Sequence, residues 1–111
     1  MIVVHADVFA QIPYLEDARA AMRSAQAAAI EQDGCVSFQF AEVLGDPGHF
    51  VAVERWRDMA ALQEHFRSAA FSAYQEAIAP LLVRDSEVLV LEAEGQMRPV
   101  ESSGLDLRQD D

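Results

Sequence analysis

The sequence predicts a small α+β domain of βαββαβ order, and three observations lead to this prediction. Short segments with apolar residues at every second position, typical of strands, alternate with longer segments of helical spacing. A dense turn signal separates the second strand-like segment from the third, which indicates a hairpin. The chain of 111 residues also has the length of one domain. We expect this domain to span residues 1–95.

The first strand is predicted over residues 2–10 and the first helix over residues 14–31. The strand carries aliphatic side chains on one face, at Ile2, Val4, Ala6 and Val8. Pro13 interrupts the alternation at a position that the start of a helix tolerates. The helix carries an apolar stripe at Leu15, Ala18, Met22, Ala25 and Ala29. Gly34 is expected to end it, because glycine readily takes the positive φ found beyond helix C-termini.

The second and third strands are predicted over residues 35–43 and 49–56, on either side of a turn at residues 44–48. One face of the second strand is predicted to carry Val36, Phe38 and Phe40. One face of the third is predicted to carry Phe50, Ala52, Glu54 and Trp56. The glycines, aspartate and proline of the turn favour antiparallel pairing of the two strands.

A second helical region and a last strand follow. Asp58 is expected to cap a helix with an apolar face, and Ser68 to start a second helical piece that Pro80 closes. The apolar face of the first piece consists of Met59, Leu62 and Phe66, with His65 at its edge. The second piece repeats apolar residues at helical spacing, beginning with Phe71 and Tyr74. The last strand, residues 86–93, contains four successive apolar residues and is therefore apolar on both faces.

This order is that of a ferredoxin-like fold with a four-stranded antiparallel sheet. The helices cover one face of the sheet, and the other face is expected to remain apolar. Because an uncovered apolar face favours association, we predict a homodimer whose two sheets face each other as a dimeric α/β barrel. Residues 96–111 have the composition of a solvated acidic tail or, alternatively, of an arm that embraces the partner subunit.

The composition excludes several kinds of function. Eight basic against nineteen acidic residues give a formal net charge of −11, which disfavours binding to nucleic acid or to an anionic membrane surface. The chain contains no lysine, so it cannot form a Schiff base with a substrate or cofactor. A single cysteine argues against an internal disulfide and a multi-cysteine metal site. The N-terminus has no charged segment followed by a long apolar stretch, so we expect a cytoplasmic protein.

Four short motifs follow one another along the chain. They are E-x-x-G-C at residues 31–35, E-x-W-x-D at 54–58, A-L-x-x-H at 61–65 and S-x-x-F at 68–71. In this order and spacing they resemble the antibiotic biosynthesis monooxygenase family, over roughly residues 1–95. The resemblance implies a dimeric α/β barrel, and for some members an oxygenase that oxidises quinols or anthrones with O₂ and no flavin or metal. Since members differ in activity, the resemblance supports the fold more strongly than any one reaction.

One branch of that family degrades haem and uses an asparagine on the first strand. This chain resembles that branch at Trp56 and His65, but it contains no asparagine at all. The departure argues against haem degradation. No glycine-rich phosphate loop follows a strand either, so we expect no flavin or nucleotide cofactor.

His65 is the main candidate for a catalytic residue. An imidazole of near-neutral pKa can take a phenolic proton, and the resulting anion of an electron-rich quinol can pass an electron to O₂. The alternative is a partly buried histidine with a structural hydrogen bond. Glu54 and Trp56 share a strand face, where a carboxylate could orient His65 or a substrate hydroxyl and an indole could form a flat wall. The alternative is that Trp56 is core and Glu54 pairs with an arginine.

The remaining candidates line a substrate pocket or the core. His5 and Asp7 share a face of the first strand, and with His65 they could mimic a site of two histidines and one carboxylate for iron. In the simpler interpretation His5 is a pocket or subunit-contact residue. Phe38, Phe71 and Tyr74 are expected to line an aromatic pocket or to be ordinary core residues. His49, beside a turn, is expected to be solvated.

These observations predict a monooxygenase that needs no cofactor and oxidises a small hydroxylated aromatic or quinol with O₂. His65 would act as the base. Two alternatives remain open: a barrel that binds a small molecule without catalysis, and an isomerase or lyase that uses the same base on a small carbonyl compound. The first alternative predicts that no cavity lies beside His65.

Overall fold

The structure is a computed structural model that describes residues 1–95 and 99–100. Apart from residues 99–100, the predicted tail at 96–111 therefore lies outside the described residues. The helices and strands are β1 (Ile2–Phe9), α1 (Leu15–Ile30), β2 (Cys35–Glu42), β3 (His49–Trp56), α2 (Met59–Arg67), α3 (Ala69–Ile78) and β4 (Glu87–Glu92). Short 3₁₀ turns precede α1 at Ile12–Tyr14 and follow α3 at Ala79–Leu81.

The four strands form one antiparallel sheet in the order β2-β3-β1-β4. This order confirms the predicted ferredoxin-like fold. The predicted ends of β3 are exact, and the predicted ends of the other strands and of α1 differ from the structure by at most one residue. For example, β1 stops at Phe9 because Ala10 makes only an isolated bridge to Leu82.

Val36 does not share a face with Phe38, contrary to the prediction. The register between β2 and β3 shifts between Cys35 and Ser37, which is a β-bulge. A bulge adds one residue to a strand and reverses the alternation beyond it. Val36 is accordingly half exposed, whereas Phe38 is buried.

Two polar caps, Asp58 at the start of α2 and Ser68 at the start of α3, confirm the predicted helix starts. The Asp58 carboxylate accepts a hydrogen bond from the backbone N–H of Ala61 at 2.9 Å, and this bond holds the pKa of Asp58 below its usual value. The Ser68 hydroxyl accepts from the N–H of Phe71 at 3.1 Å and donates to the carbonyl of His65 at 2.7 Å. The break between the two helices therefore falls at Ser68, three residues after His65, and the Ser68 hydroxyl ties the last turn of α2 to the start of α3.

The core between helices and sheet consists of two clusters rather than one. The first lies around the fully buried Trp56 and Leu62, and the second around Met22, Phe50 and Ile78. The first cluster joins α2 to the ends of β1 and β3, and the second joins α1 and α3 to their other ends. The space between the two clusters is where the cavity described below is found.

The other face of the sheet is partly apolar, and its apolar part is concentrated near the edge strand β4. Leu89 is 68% exposed, Leu91 is 62% exposed and Val53 is 41% exposed. Polar side chains, among them His5 and Arg55, alternate with these residues along β1 and β3. The predicted homodimer stays a prediction.

Gly34 directly precedes β2, and its substitution tests how closely the chain approaches α2 at this point. Its φ is +82°, and an added Cβ would lie 2.5 Å from the Cβ of Ala61. Gly45 has a similar φ of +78° but nothing within 4 Å of such a Cβ. Each substitution by alanine carries a backbone cost of about 1–2 kcal/mol. We expect Gly34→Ala to lower the free energy of unfolding by a further ~1–3 kcal/mol through overpacking.

The measurement is urea unfolding of both variants beside the wild type. Equal destabilisation of Gly34→Ala and Gly45→Ala would contradict the close contact between β2 and α2.

Candidate functional site

A cavity of about 340 Å³ lies between the sheet and the helices, in the gap between the two core clusters. It exists because the facing residues are small. Ala6 and Ala52 are directly opposed in the register of β1 and β3, and α1 places Ala25 and Ala29 above them. A volume in this range holds one small organic molecule.

Aromatic side chains form much of the cavity wall. The structure places Phe38, Phe71 and Tyr74 there, as the sequence predicts, together with Phe40 and Phe66. The rings of Phe71 and Phe38 lie 5.1 and 5.7 Å from the His65 ring. Rings at such separations make favourable edge or tilted contacts with one another. The ring faces that line the cavity can contact a flat guest in the same way.

His65 borders the cavity and is only 6% exposed. Its Nδ1 lies 2.7 Å from Oε1 of Gln32, at the C-terminal end of α1. An amide oxygen can only accept a hydrogen bond, so Nδ1 carries the hydrogen and Nε2 is left as an acceptor. Burial lowers the pKa of His65 to about 4, and not to the near-neutral value expected from the sequence, so the ring is neutral at pH 7.

Glu54 also lines the cavity and is 6% exposed. The indole N–H of Trp56 donates to its Oε1 at 3.0 Å. Burial raises the pKa of Glu54 to about 7, although the Trp56 hydrogen bond favours the charged form. No buried side-chain oxygen or nitrogen of the described residues lacks a partner. Residues 1–95 provide no second hydrogen bond to Glu54, so its other oxygen is not buried without a partner and is open to the cavity that Glu54 lines.

Trp56 lies in the core and not on the cavity wall where it was predicted. It is fully buried and does not reach the cavity, so the prediction that it forms a wall is wrong. It lies at the end of β3 under α2, where its ring is 4.7 Å from the His65 ring. The indole therefore supports the two polar groups from behind: it bonds to Glu54 and packs against His65.

His5 and Asp7 do not lie at the cavity. Alternate residues of a strand point to opposite faces, and the helices cover the face with Val4 and Ala6. The sheet thus separates His5 and Asp7 from His65, and the predicted pocket role of His5 is wrong. Within the described residues no group of three or more histidine, cysteine, aspartate or glutamate side chains could hold a metal ion.

Asp7 instead belongs to a network that the sequence did not indicate. Its carboxylate lies 2.6 Å from Nε2 of His49, while Nδ1 of His49 lies 2.8 Å from Asp46. The His49 ring also stacks on Phe9 at 4.6 Å. The two carboxylates raise the pKa of His49. His49 is therefore a structural tie between the β2–β3 turn and β1, and not a solvated side chain.

Gln32 is the functional-site residue that sequence reasoning missed. It follows α1 and reaches His65 across 33 positions of sequence. Gln32 occupies a variable position of the E-x-x-G-C motif. A polar residue at the end of a helix has many ordinary roles, so its residue type did not indicate a site. The signal available was only its position inside that motif.

The fold and the cavity together define a ferredoxin-like α+β protein with a largely apolar site beside a buried imidazole and a buried carboxyl group. The family model of the antibiotic biosynthesis monooxygenases matches residues 1–77. The chain belongs to this family, which confirms the resemblance seen in its motifs.

Individual relatives agree with this assignment. The candidate monooxygenase Rv0793 of Mycobacterium tuberculosis is 38% identical over 79 residues, which are 68% of this chain and 77% of that protein. A solved structure of Rv0793 superposes with a TM-score of 0.81 at 27% identity and covers 87% of this chain and 98% of that one. The uncharacterised protein sll1783 of Synechocystis is 32% identical over 59 residues, 53% of this chain but only 40% of that protein.

A structure from Deinococcus radiodurans, a candidate antibiotic biosynthesis monooxygenase, shares the fold with a TM-score of 0.84 at 24% identity. The match covers 91% of this chain and all of that one. In the part of the chain that the structure describes, none of the helices is both long and apolar enough to cross a membrane.

The buried Glu54 and His65 side chains predict opposite effects of pH on the free energy of unfolding. Folding raises the pKa of Glu54 from 4.5 to about 7, so the folded state binds its proton more tightly and stability falls as the pH rises through this range. Folding lowers the pKa of His65 from 6.5 to about 4, so its contribution rises with pH between these values. In the wild type the two slopes largely cancel between pH 4.5 and 6.5.

We expect Glu54→Gln to remove one of these slopes. Relative to the wild type, its free energy of unfolding should rise by about 3 kcal/mol between pH 4.5 and pH 8, since one pKa unit corresponds to ~1.4 kcal/mol. Urea unfolding across this pH range measures the difference. Glu76→Gln, at an exposed glutamate of α3, is the matched control and should show no such trend. A difference between Glu54→Gln and the wild type that does not vary with pH would contradict the burial of an ionisable Glu54.

Proposed function

We propose that this protein is a monooxygenase that oxidises a small hydroxylated aromatic or quinol with O₂, using the electrons of the substrate itself. The observation that carries the proposal is a neutral His65 with one nitrogen free to accept, on the wall of an aromatic cavity. Membership of a family described by monooxygenase activity supports the same reaction class. The proposal requires no flavin or metal.

The substrate ring would lie among Phe38, Phe71 and Tyr74, with its hydroxyl group directed to Nε2 of His65. Transfer of the hydroxyl proton gives an electron-rich anion, which can pass an electron to O₂. Combination of the two radicals then forms a C–O bond at a ring carbon that bears hydrogen. Loss of water leaves a second carbonyl group, so that the substrate and O₂ become a quinone and H₂O. The protein supplies a proton acceptor and a cavity with little water.

The charge of the cavity supports an uncharged substrate. Among the described residues that line it there is no arginine, and its ionisable members are Glu54, His65 and Tyr74. Burial and the nearby Glu54 raise the pKa of Tyr74 to about 12, so its hydroxyl stays neutral. An anionic guest would meet a buried carboxyl group with no cation to balance its charge.

The cavity beside the buried His65 argues against the non-catalytic barrel, which predicts that no cavity lies there. An isomerase or lyase acting on a small carbonyl compound would use the same His65 and the same cavity. Product analysis with oxygen excluded separates the two: the oxygenase forms no product, whereas the isomerase or lyase is unaffected.

We expect His65→Ala to lower kcat by about 10²-fold or more, since a positioned base contributes ~10²–10⁴-fold. Oxygen uptake with a panel of quinols and anthrones, using metal-stripped protein, measures the rate. Glu76→Gln is the control because Glu76 is exposed on α3 and does not line the cavity. A loss of much less than tenfold in His65→Ala would make His65 a structural residue. If the wild type consumes no oxygen with any compound of the panel, the oxygenase proposal fails.

We also propose that the protein is a homodimer formed through the outer sheet face near β4. The exposed Leu89 and Leu91 support this interface because large exposed apolar patches favour association. Leu89→Arg should shift the molecule from dimer to monomer in sedimentation velocity at micromolar concentration. Leu44→Arg is the matched control, since Leu44 is 97% exposed in the β2–β3 turn. A monomeric wild type would contradict the dimer.

A further inference from the structure

We infer that Glu54 is a second catalytic residue of this site: its carboxyl group donates a proton to the reduced oxygen and later takes the ring hydrogen. The inference rests on the proposed oxygenase function and deepens it. It assigns to Glu54 the proton donor that the reaction needs in addition to the base.

The position of Glu54 suits this role. It lies in β3, opposite Val4 of β1 and Phe38 of β2, so its backbone is fixed in the middle of the sheet. The Trp56 N–H holds one oxygen at 3.0 Å, and the other oxygen is open to the cavity. A carboxyl group held in this way by a buried partner has little freedom to turn away from a guest.

The surroundings of Glu54 favour its neutral form. The ionisable groups near it are His65 of α2, Tyr74 of α3 and Cys35 of β2. The residues of α1 and β4 that line the cavity carry no charge. At neutral pH none of these groups is a cation that would stabilise the carboxylate, because burial keeps the His65 ring neutral. An isolated charge in such a place is costly, so the proton stays on Glu54 up to about neutral pH.

The pKa of Glu54 therefore lies above that of His65, whereas a glutamate ordinarily has a lower pKa than a histidine. With the pKa of His65 near 4 and that of Glu54 near 7, the cavity holds a free imidazole and a protonated carboxyl group at the same time between these values. One group can therefore accept a proton while the other donates one. Pairs of titratable groups whose environments separate their pKa values are typical of acid–base sites.

The steps balance as follows. His65 takes the hydroxyl proton of the substrate, and the anion combines with O₂ to give a peroxide anion on a ring carbon. Glu54 donates its proton to this anion and forms a hydroperoxide. The Glu54 carboxylate then removes the hydrogen of that ring carbon, and the electron pair of the C–H bond forms the carbonyl. The O–O bond breaks, and the departing hydroxide takes the proton from His65 to give water. Both residues return to their starting state.

We expect Glu54→Gln to lower quinone formation by about 10²-fold or more, as for loss of a general acid or base. Glutamine keeps an oxygen that can accept from Trp56 but has no proton to give. We expect the kcat of the wild type to decline above pH 7 as Glu54 loses its proton, and this decline should be absent from the variant. Glu76→Gln should match the wild type in each of these measurements.

The outcomes distinguish this inference from the proposed function. If the wild type consumes no oxygen with any quinol or anthrone, the oxygenase function fails. If it does, but Glu54→Gln keeps quinone formation within tenfold and the same alkaline decline, only the role of Glu54 fails. A measurement without turnover tests the same point: the infrared difference between wild type and Glu54→Gln at pH 6 should contain a protonated carboxyl band. Its absence would overturn the inference.

Discussion

The site depends on the hydrogen bond between the Trp56 indole and the Glu54 carboxyl group. Without this donor a carboxyl group buried beneath two helices would lose its fixed partner, at a cost of about 1–3 kcal/mol. The same indole packs against His65, so one fully buried side chain sets the positions of both polar groups. Trp56 is thus a positioning residue, and its value to the site comes from its place in the core.

The cavity follows from how the core is divided. Large side chains gather at the two ends of the sheet, around Trp56 and around Phe50, whereas alanines occupy the middle of β1, β3 and α1. Close packing is the rule in protein interiors, and a single continuous core would fill this volume. The protein therefore lacks the packing contacts that a filled core would make, which is consistent with a cavity that binds a small molecule.

Much of the fold could be predicted because alternation in strands and the 3.6-residue period of helices are local signals. The polar caps at Asp58 and Ser68 were also visible, since capping side chains act on residues three positions away. The predictions failed where position depended on distant contacts. Alternation showed that Trp56 and Glu54 share a face but not that Trp56 lies deeper, under α2. The bond from His65 to Gln32 joins residues 33 apart, and no local pattern announces it. Alternation along β1 does not show which of its faces the helices cover, so it could not separate His5 from the pocket.

The edge strand β4 affects the tendency of the protein to aggregate at high concentration. Strand β4 carries the run Val88–Leu91 with both faces accessible, and within residues 1–95 one side of its backbone has no neighbouring strand. Such an edge is a template on which another chain can add a strand and begin aggregation. Glu87 and Glu92 stand at its two ends as gatekeepers, and in a parallel, in-register stack of chains these carboxylates would repel each other. Conditions that neutralise acidic side chains would therefore weaken the protection of this edge against fibre-like assembly.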